Sequence, residues 1–310
     1  MKNILSLLLL FFFVAASGQK ISLIIDADTG NEMDDLYAIV KAVQDENCEV
    51  TGLISAHFNN VQLLTDEKWN GYSTENINTL QISQELNEQL LNVMGATGIP
   101  HPAGCDKMVG YAWGYYPGAP IPGSEGVDFI IQHAKNASKE AKLSIAVLGA
   151  VTNVASAILT DPEIAPKLRV YLLNMKYDFE KKAWNKNSFN ARNDINGLDI
   201  LLNTESLELI IMPGTVARQL TFRRDPTTER LDEDSYRLDE ILEERWDHVN
   251  ADETWIMWDL ALIQAIIYPH LATLETTQTP PENTWREIGI YTDIDEAAMR
   301  EEFWRTYRSQ

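Results

Sequence analysis

Five acidic residues crowd into ten positions near the start of the chain: Asp26, Asp28, Glu32, Asp34 and Asp35, within Ile24-Ile25-Asp26-Ala27-Asp28-Thr29-Gly30-Asn31-Glu32-Met33-Asp34-Asp35. Carboxylates this close repel one another unless something neutralises them. A hard divalent cation is the simplest neutraliser, and Ca²⁺ prefers carboxylate and carbonyl oxygens. A helix dipole favours one or two acids at an N-terminal turn, not five. The run Ile21 to Ile25 is apolar and β-branched, as in a buried parallel strand. Behind the acids, Leu36, Ile39, Val40 and Val43 recur at helical spacing. The acids therefore fall on a strand-to-helix turn, at the carboxyl end of the strand, where open α/β sheets bind ligands.

Other positions carry chemistry at a distance. Leu148-Gly149-Ala150-Val151-Thr152-Asn153 closes a second apolar run, Leu143 to Leu148. Thr152 suits a helix cap. Asp259 starts or interrupts a very apolar stretch, Trp255 to Ile267. An acid there is costly unless it caps, pairs or binds metal. Asn60 and Asn174 each stand at the end of an expected strand, where Asn also serves simply to turn the chain. The five histidines, His57, His101, His133, His248 and His270, show no paired metal spacing, although His57 lies near a strand end. Neither a Gly-x-Ser-x-Gly nucleophile motif nor a Gly-x-Gly-x-x-Gly phosphate loop is present.

The acidic run resembles the Asp-x-Asp-x-Gly-x-Asp-Asp signature of the inosine-uridine type nucleoside hydrolases. Asp26, Asp28, Gly30, Asp34 and Asp35 match, with two extra residues between Gly30 and the Asp pair. The stretch Leu148 to Asn153, followed by Asp161-Pro162-Glu163, is similar to that family's Leu-Gly-Pro-Leu-Thr-Asn and Asp-Pro-Glu. Trp258-Asp259-Leu260-Ala261 is similar to its His-Asp-x-x-Ala, with Trp in place of His. Phe58-Asn59-Asn60-Val61 resembles Gly-Asn-Val, and Asn187-Ser188-Phe189-Asn190 with Asp194 resembles Glu-Phe-Asn and a later Asp. Ser188 replaces the Glu, and Asn174 stands where the family usually has Met.

The resemblance implies a calcium-dependent hydrolase of the N-glycosidic bond of ribonucleosides. Ca²⁺ would be held by Asp28, Asp35, the Thr152 carbonyl and Asp259. Asp28 would act as base and Asp34 would hold a ribose hydroxyl. Asn60, Asn174 and Asn190 become sugar-binding candidates. Trp258 would stack on the leaving base, with Trp113 or Tyr111 on its other face, which favours purines. Two alternatives stay open: a non-catalytic nucleoside- or sugar-binding protein that keeps the metal cup, and a hydrolase of another glycosidic bond.

Elements must hold these positions together. Strands are expected at Ile21 to Ile25, Cys48 to Phe58, Ile99 to Gly104, Leu143 to Leu148, Val170 to Leu173, Leu207 to Met212 and Ile288 to Tyr291. Helices are expected from about Asn76 to Leu91 with Thr74 as cap, at Gly126 to Ala137, Val154 to Leu159, Asp194 to Asn203, Leu231 to His248 and Trp255 to Ile267, with a charged helix at the tail. The first of these has Ile77, Leu80, Ile82 and Leu86 as its apolar positions. Between them, Cys105 to Gly123 is a long loop rich in Gly, Pro and aromatics. Alternation of this kind predicts an α/β fold, a mainly parallel central sheet flanked by helices, in one catalytic domain over residues 19–310.

Residues 1–18 read as a cleaved signal peptide, with Lys2, an apolar core from Ile4 to Val14 and small residues Ala15 to Gly18. The expectation is an exported protein, periplasmic or extracellular, where nucleosides would be scavenged. The net charge of -21 disfavours nucleic acid and anionic membrane as partners, leaving a small nucleoside or glycoside. A homo-oligomer is compatible with all of this. Cys48 and Cys105, the only cysteines, make no disulfide framework.

Overall fold

The computed structural model describes residues 20–58, 77–231, 237–248 and 251–307. In chain order the elements are β1 (Ile21–Ala27), α1 (Asp34–Gln44), β2 (Cys48–Ser55), α2 (Thr79–Val93), α3 (Glu125–Asn136), β3 (Leu143–Val147), α4 (Thr152–Thr160) and β4 (Leu168–Leu173). Then come the hairpin β5 (Lys176–Asp178) and β6 (Ala183–Asn185), α5 (Phe189–Asn193), α6 (Ile195–Asn203), β7 (Glu208–Met212), α7 (Gly214–Ala217), β8 (Thr221–Arg223) and α8 (Arg224–Leu231). The chain closes with α9 (Arg237–His248), β9 (Thr254–Ile256), α10 (Trp258–Ile267), β10 (Ala272–Gln278), β11 (Glu287–Ile294) and α11 (Glu296–Tyr307).

Seven strands form one sheet in the order β10-β11-β7-β4-β3-β1-β2. All neighbours pair parallel except β10 with β11. The mainly parallel sheet flanked by helices is therefore as expected. Ile24 and Ile25 are without exposure and pack into opposite apolar layers, as a strand covered on both faces requires. One layer joins α1, α7, α9, α10 and α11; the other joins α3, α4 and α6. From β1 the sheet runs to β2 on one side and to β3 on the other. Such a reversal opens a crevice at the carboxyl ends of the strands.

Several elements differ from their expected form. Ile99 to Gly104 forms no strand; Pro100 and Pro102 have no N–H to give a ladder, and toward β2 the Pro100 carbonyl accepts from Leu53 N at 2.9 Å. The first long helix starts at Thr79 with Asn78 as its cap, its side chain accepting from Gln81 N; Thr74 lies outside the described residues. Of the expected helix Leu231 to His248, α9 covers Arg237–His248, residues 232–236 lie outside the described residues, and Leu231 ends the unforeseen α8; the stretch from Trp255 begins as strand β9, so that α10 opens at Trp258. The edge strand β10 was not foreseen. Cys48 and Cys105 are buried free thiols. Among the described residues no helix is long and apolar enough to cross a membrane.

Candidate active site

The turn after β1 carries the acids into a cavity of about 200 Å³. Asp28, Asn31, Glu32, Asp34 and Asp35 form one wall of it; Leu148 from the end of β3, Leu173 to Lys176 from the end of β4, Ser188 to Asn190, Gly214, and Trp258 with Asp259 from the start of α10 form the rest. β1 is buried on both faces, so its exit turn is forced onto the crevice. Gly149 lets it come close: a Cβ there would stand 2.6 Å from Asp28 Oδ1.

One carboxylate oxygen each from Asp34, Asp35 and Asp259 lie within 4.8 Å of one another. Asp34 Oδ2 accepts from the backbone N–H of Asp259 at 3.1 Å, joining the β1 turn to the first turn of α10. Asp28 lies on the same wall but outside this tight trio. Asp28 Oδ2, Asp34 Oδ1, Asp35 Oδ1 and Asp259 Oδ1 are buried without any hydrogen-bond partner. Orphaned carboxylate oxygens are costly. Burial, and then the neighbouring acids, push the Asp28, Asp35 and Asp259 carboxyls well above the usual carboxylate range. Asp34 is also raised by burial, with the Asp259 backbone N–H opposing. A donor set of hard oxygens, buried and unsatisfied, fits a hard divalent cation.

Thr152 opens α4 and does not line the cavity. Its hydroxyl donates to Asp194 Oδ2 at 2.6 Å and is 2.9 Å from His57 Nε2. Because that hydroxyl proton goes to Asp194, His57 donates, which fixes the ring as the Nε2–H form. Burial lowers the His57 pKa to about 4 and pushes Asp194 up to about 6. Behind the turn, Asp26 Oδ1 accepts from Asn153 Nδ2 at 2.8 Å, and burial raises that carboxyl to about 8.

The other expected site residues are placed as follows. Asn174 and Asn190 line the cavity, but the Asn190 amide donates to the carbonyls of Leu148 and Leu173, stitching the ends of β3 and β4. Ser188 Oγ accepts from Met175 N at 3.0 Å and donates to Asn174 Oδ1 at 3.3 Å. Trp258 is half-buried in the wall beside Gly214. Trp113 lies outside the wall, 78% exposed and stacked on Tyr111 at 4.8 Å. Asn60 falls outside the described residues.

The model of the inosine-uridine preferring nucleoside hydrolase family matches residues 23–299. The chain belongs to that family. Its members are glycosidases that act on N-ribosyl bonds, so a nucleoside hydrolase carries the cavity just described. Similar folds include an inosine-guanosine nucleoside hydrolase (18% identity, TM-score 0.68, covering 92% of this chain and 98% of that one). A plant nucleoside hydrolase has 16% identity and TM-score 0.67, covering 93% and 99%. A purine-preferring ribonucleoside hydrolase from Gardnerella vaginalis has 18% identity and TM-score 0.63, covering 92% and 98%. At such identities the likeness is one of fold. No curated protein sequence matches the chain.

Some of this nucleoside hydrolase's site residues gave little sign of themselves. Met175 is the wall residue with a left-handed backbone (φ 57°), which no local Gly or Asn announces at that position. Arg245 did carry a signal. It sits four residues after Ile241 and seven after Leu238, on the apolar stripe of α9, and is buried there. Its Nη2 donates to the carbonyls of Gly30, Asn31 and Glu32.

Proposed function

We propose that the chain is a calcium-dependent hydrolase of ribonucleosides that favours purines, releasing the base and ribose. The observation that carries this reading is the convergence of four unsatisfied, buried carboxylate oxygens on one cavity whose remaining wall holds Trp258, Phe189 and two amides. Asp28, Asp35 and Asp259 would hold the ion, with Asp34 beside them; the family resemblance adds the Thr152 carbonyl, although Thr152 does not line the cavity. When bound, Ca²⁺ neutralises the acids, orients sugar hydroxyls and makes water easier to deprotonate.

Asp28 takes the proton of the attacking water. The water oxygen bonds to the anomeric carbon as the carbon–nitrogen bond breaks, the bond's electron pair leaves with the base, and a ring nitrogen of the base takes a proton from solvent. The carboxylates steady the positive charge that gathers on the sugar ring. Asp34 accepts from a ribose hydroxyl through Oδ1, since Oδ2 is held by Asp259. Trp258 stacks on the base, and a purine offers the larger face. Two of the structurally similar enzymes are described as inosine-guanosine and purine-preferring, which favours the same choice. The leader-like start adds the proposal that this happens outside the cytoplasm.

The test is release of base and reducing sugar from inosine, guanosine, adenosine, uridine and cytidine, with and without chelator. Release from purine nucleosides that stops with chelator and returns with Ca²⁺ is the expected result. Tight binding without release would make the protein a binder instead, and release from uridine as fast as from inosine would remove the purine preference.

A further inference from the structure

The two residues that lengthen the turn between Gly30 and the Asp pair are put to separate uses. Met33 has no exposure and packs in the core beside α1. Glu32 faces the other way and lines the cavity, half-buried beside Asp28 and Asp34. Among the described residues none donates a hydrogen bond to its carboxylate.

The backbone that carries Glu32 is held from two sides. Gly30 N donates to Ser83 Oγ of α2 at 3.2 Å, and Asn31 N closes back on the Asp28 carbonyl at 2.8 Å. From the other side Arg245, 6% exposed, donates from Nη2 to the carbonyls of Gly30, Asn31 and Glu32 at 3.1, 3.2 and 3.1 Å. The helix that brings Arg245 is itself pinned: the Trp246 indole N–H donates to the Tyr37 hydroxyl of α1 at 3.0 Å. A turn fixed this firmly fixes the root of its side chain. An acid added to a wall that already holds four is unfavourable for stability, so its retention there calls for a use in binding.

We propose that Glu32 is a substrate-contacting residue that accepts a hydrogen bond from a sugar hydroxyl, and that Arg245 is the positioning residue that aims it. The inference rests on the nucleoside reading of the cavity. Glu32 lies at the carboxylate end, where the sugar sits, and not at the Trp258 and Phe189 end, where a base stacks. A carboxylate oxygen can accept from a hydroxyl, and a hydroxyl is the donor that a sugar offers. A site built to accept from one hydroxyl rejects the analogue that lacks it, and losing the acceptor erases that discrimination.

The experiment measures kcat/KM of the wild type, Glu32→Gln, Arg245→Met and the double variant on inosine and on its 2′-, 3′- and 5′-deoxy analogues. Glu32→Gln should lower kcat/KM on inosine by about tenfold to a hundredfold while leaving one deoxy analogue nearly unchanged. Arg245→Met should reproduce that pattern, and the double variant should add little to either. If Arg245→Met does not fold, Arg245→Lys takes its place, since it keeps the charge and loses the reach. An equal loss on all four substrates, or no loss, overturns the contact. An Arg245 variant whose losses add to those of Glu32→Gln overturns the positioning role. A wild type that releases base from none of the four, yet is folded, fails the nucleoside reading itself, which is a different result from a failed contact.

Discussion

An indole cannot hand a proton to a departing base near neutral pH, so Trp258 acts through its face. Base stacking on an aromatic ring is worth about 1–3 kcal/mol. Trp258→Ala should therefore cut inosine turnover by about tenfold to a hundredfold and leave calcium binding intact; a silent variant in steady-state assays would return the residue to packing. Asp34 and Glu32 are neighbours with unequal tasks. Asp34→Ala should abolish base release while Glu32→Ala leaves a measurable rate, and the opposite order would mean that the lengthened turn has been matched to the wrong acid. Asp259→Asn removes one charged oxygen from the trio and should weaken Ca²⁺ binding in calorimetry; unchanged affinity would take Asp259 out of the metal site. His57 gives a pH signature. Its pKa is about 4 in the folded chain against 6.5 in the unfolded one, so between those values the unfolded state binds the extra proton. Its neutrality helps the fold above pH 6.5, and that help fades as pH falls through 4, by up to about 3 kcal/mol. His57→Gln can keep a donor toward Thr152 without titrating. Its urea stability should fall less steeply from pH 6.5 to 4 than that of the wild type; parallel curves would show that His57 is not the group.

At the scale of elements, α2 docks by an inverted face. Ile77, Leu80, Ile82 and Leu86 look like its buried stripe, yet Ile77 is 39% exposed and the other three are only half-buried, while Thr79, Ser83 and Asn87 are buried. The reason is what they meet. Thr79 Oγ1 donates to the Phe58 carbonyl at 2.7 Å, Ser83 takes the Gly30 N–H, and Asn87 Oδ1 accepts from Thr29 Oγ1 at 2.6 Å. A helix that supports a catalytic turn buries partners for its backbone and hydroxyls. Asn87→Ala should leave the Thr29 hydroxyl without its acceptor and cost about 1–3 kcal/mol in chemical denaturation. Legibility follows the same logic. β1, β3, β4 and β7 could be read because a strand covered on both faces must be a continuous apolar run. The ligand candidates could be read because Asp28, Asp34 and Asp35 are close in sequence and Asp259 breaks an apolar stretch. β10 was invisible because its middle residues, from Thr273 to Thr276, face solvent, its one large apolar residue, Leu274, among them, so no buried face marks it. α8 is so polar that only its capture by the fold makes it a helix. The support of the turn was hidden for a further reason: Ser83, Asn87 and Arg245 act across spans of 53, 58 and about 214 residues, which no local pattern reports.

The whole molecule is tied from its first helix to its last by one buried cation. Lys41 of α1 pairs with Asp45 at 2.7 Å and with Glu302 of α11 at 3.1 Å, donates to Thr306, and lies over the Tyr268 ring. Removing one member of a buried pair strands the other. Lys41→Met should cost about 3–5 kcal/mol, read as a lowered denaturation midpoint, and replacing Asp45 as well should restore part of it. A loss below 1 kcal/mol would mean that water reaches the pair. The contact between Asp34 and Asp259 spans 225 residues, and the helix that Lys41 holds comes later still. The consequence belongs to biosynthesis. A chain emerging from its N-terminus carries the acidic turn early; α2 can meet its backbone and Thr29, but Asp34 has no partner in α10 until Asp259 has followed. Until then the group of carboxylates that would hold the ion lacks one of its three members. On this wiring the carboxylate trio is complete only once α10 has been made.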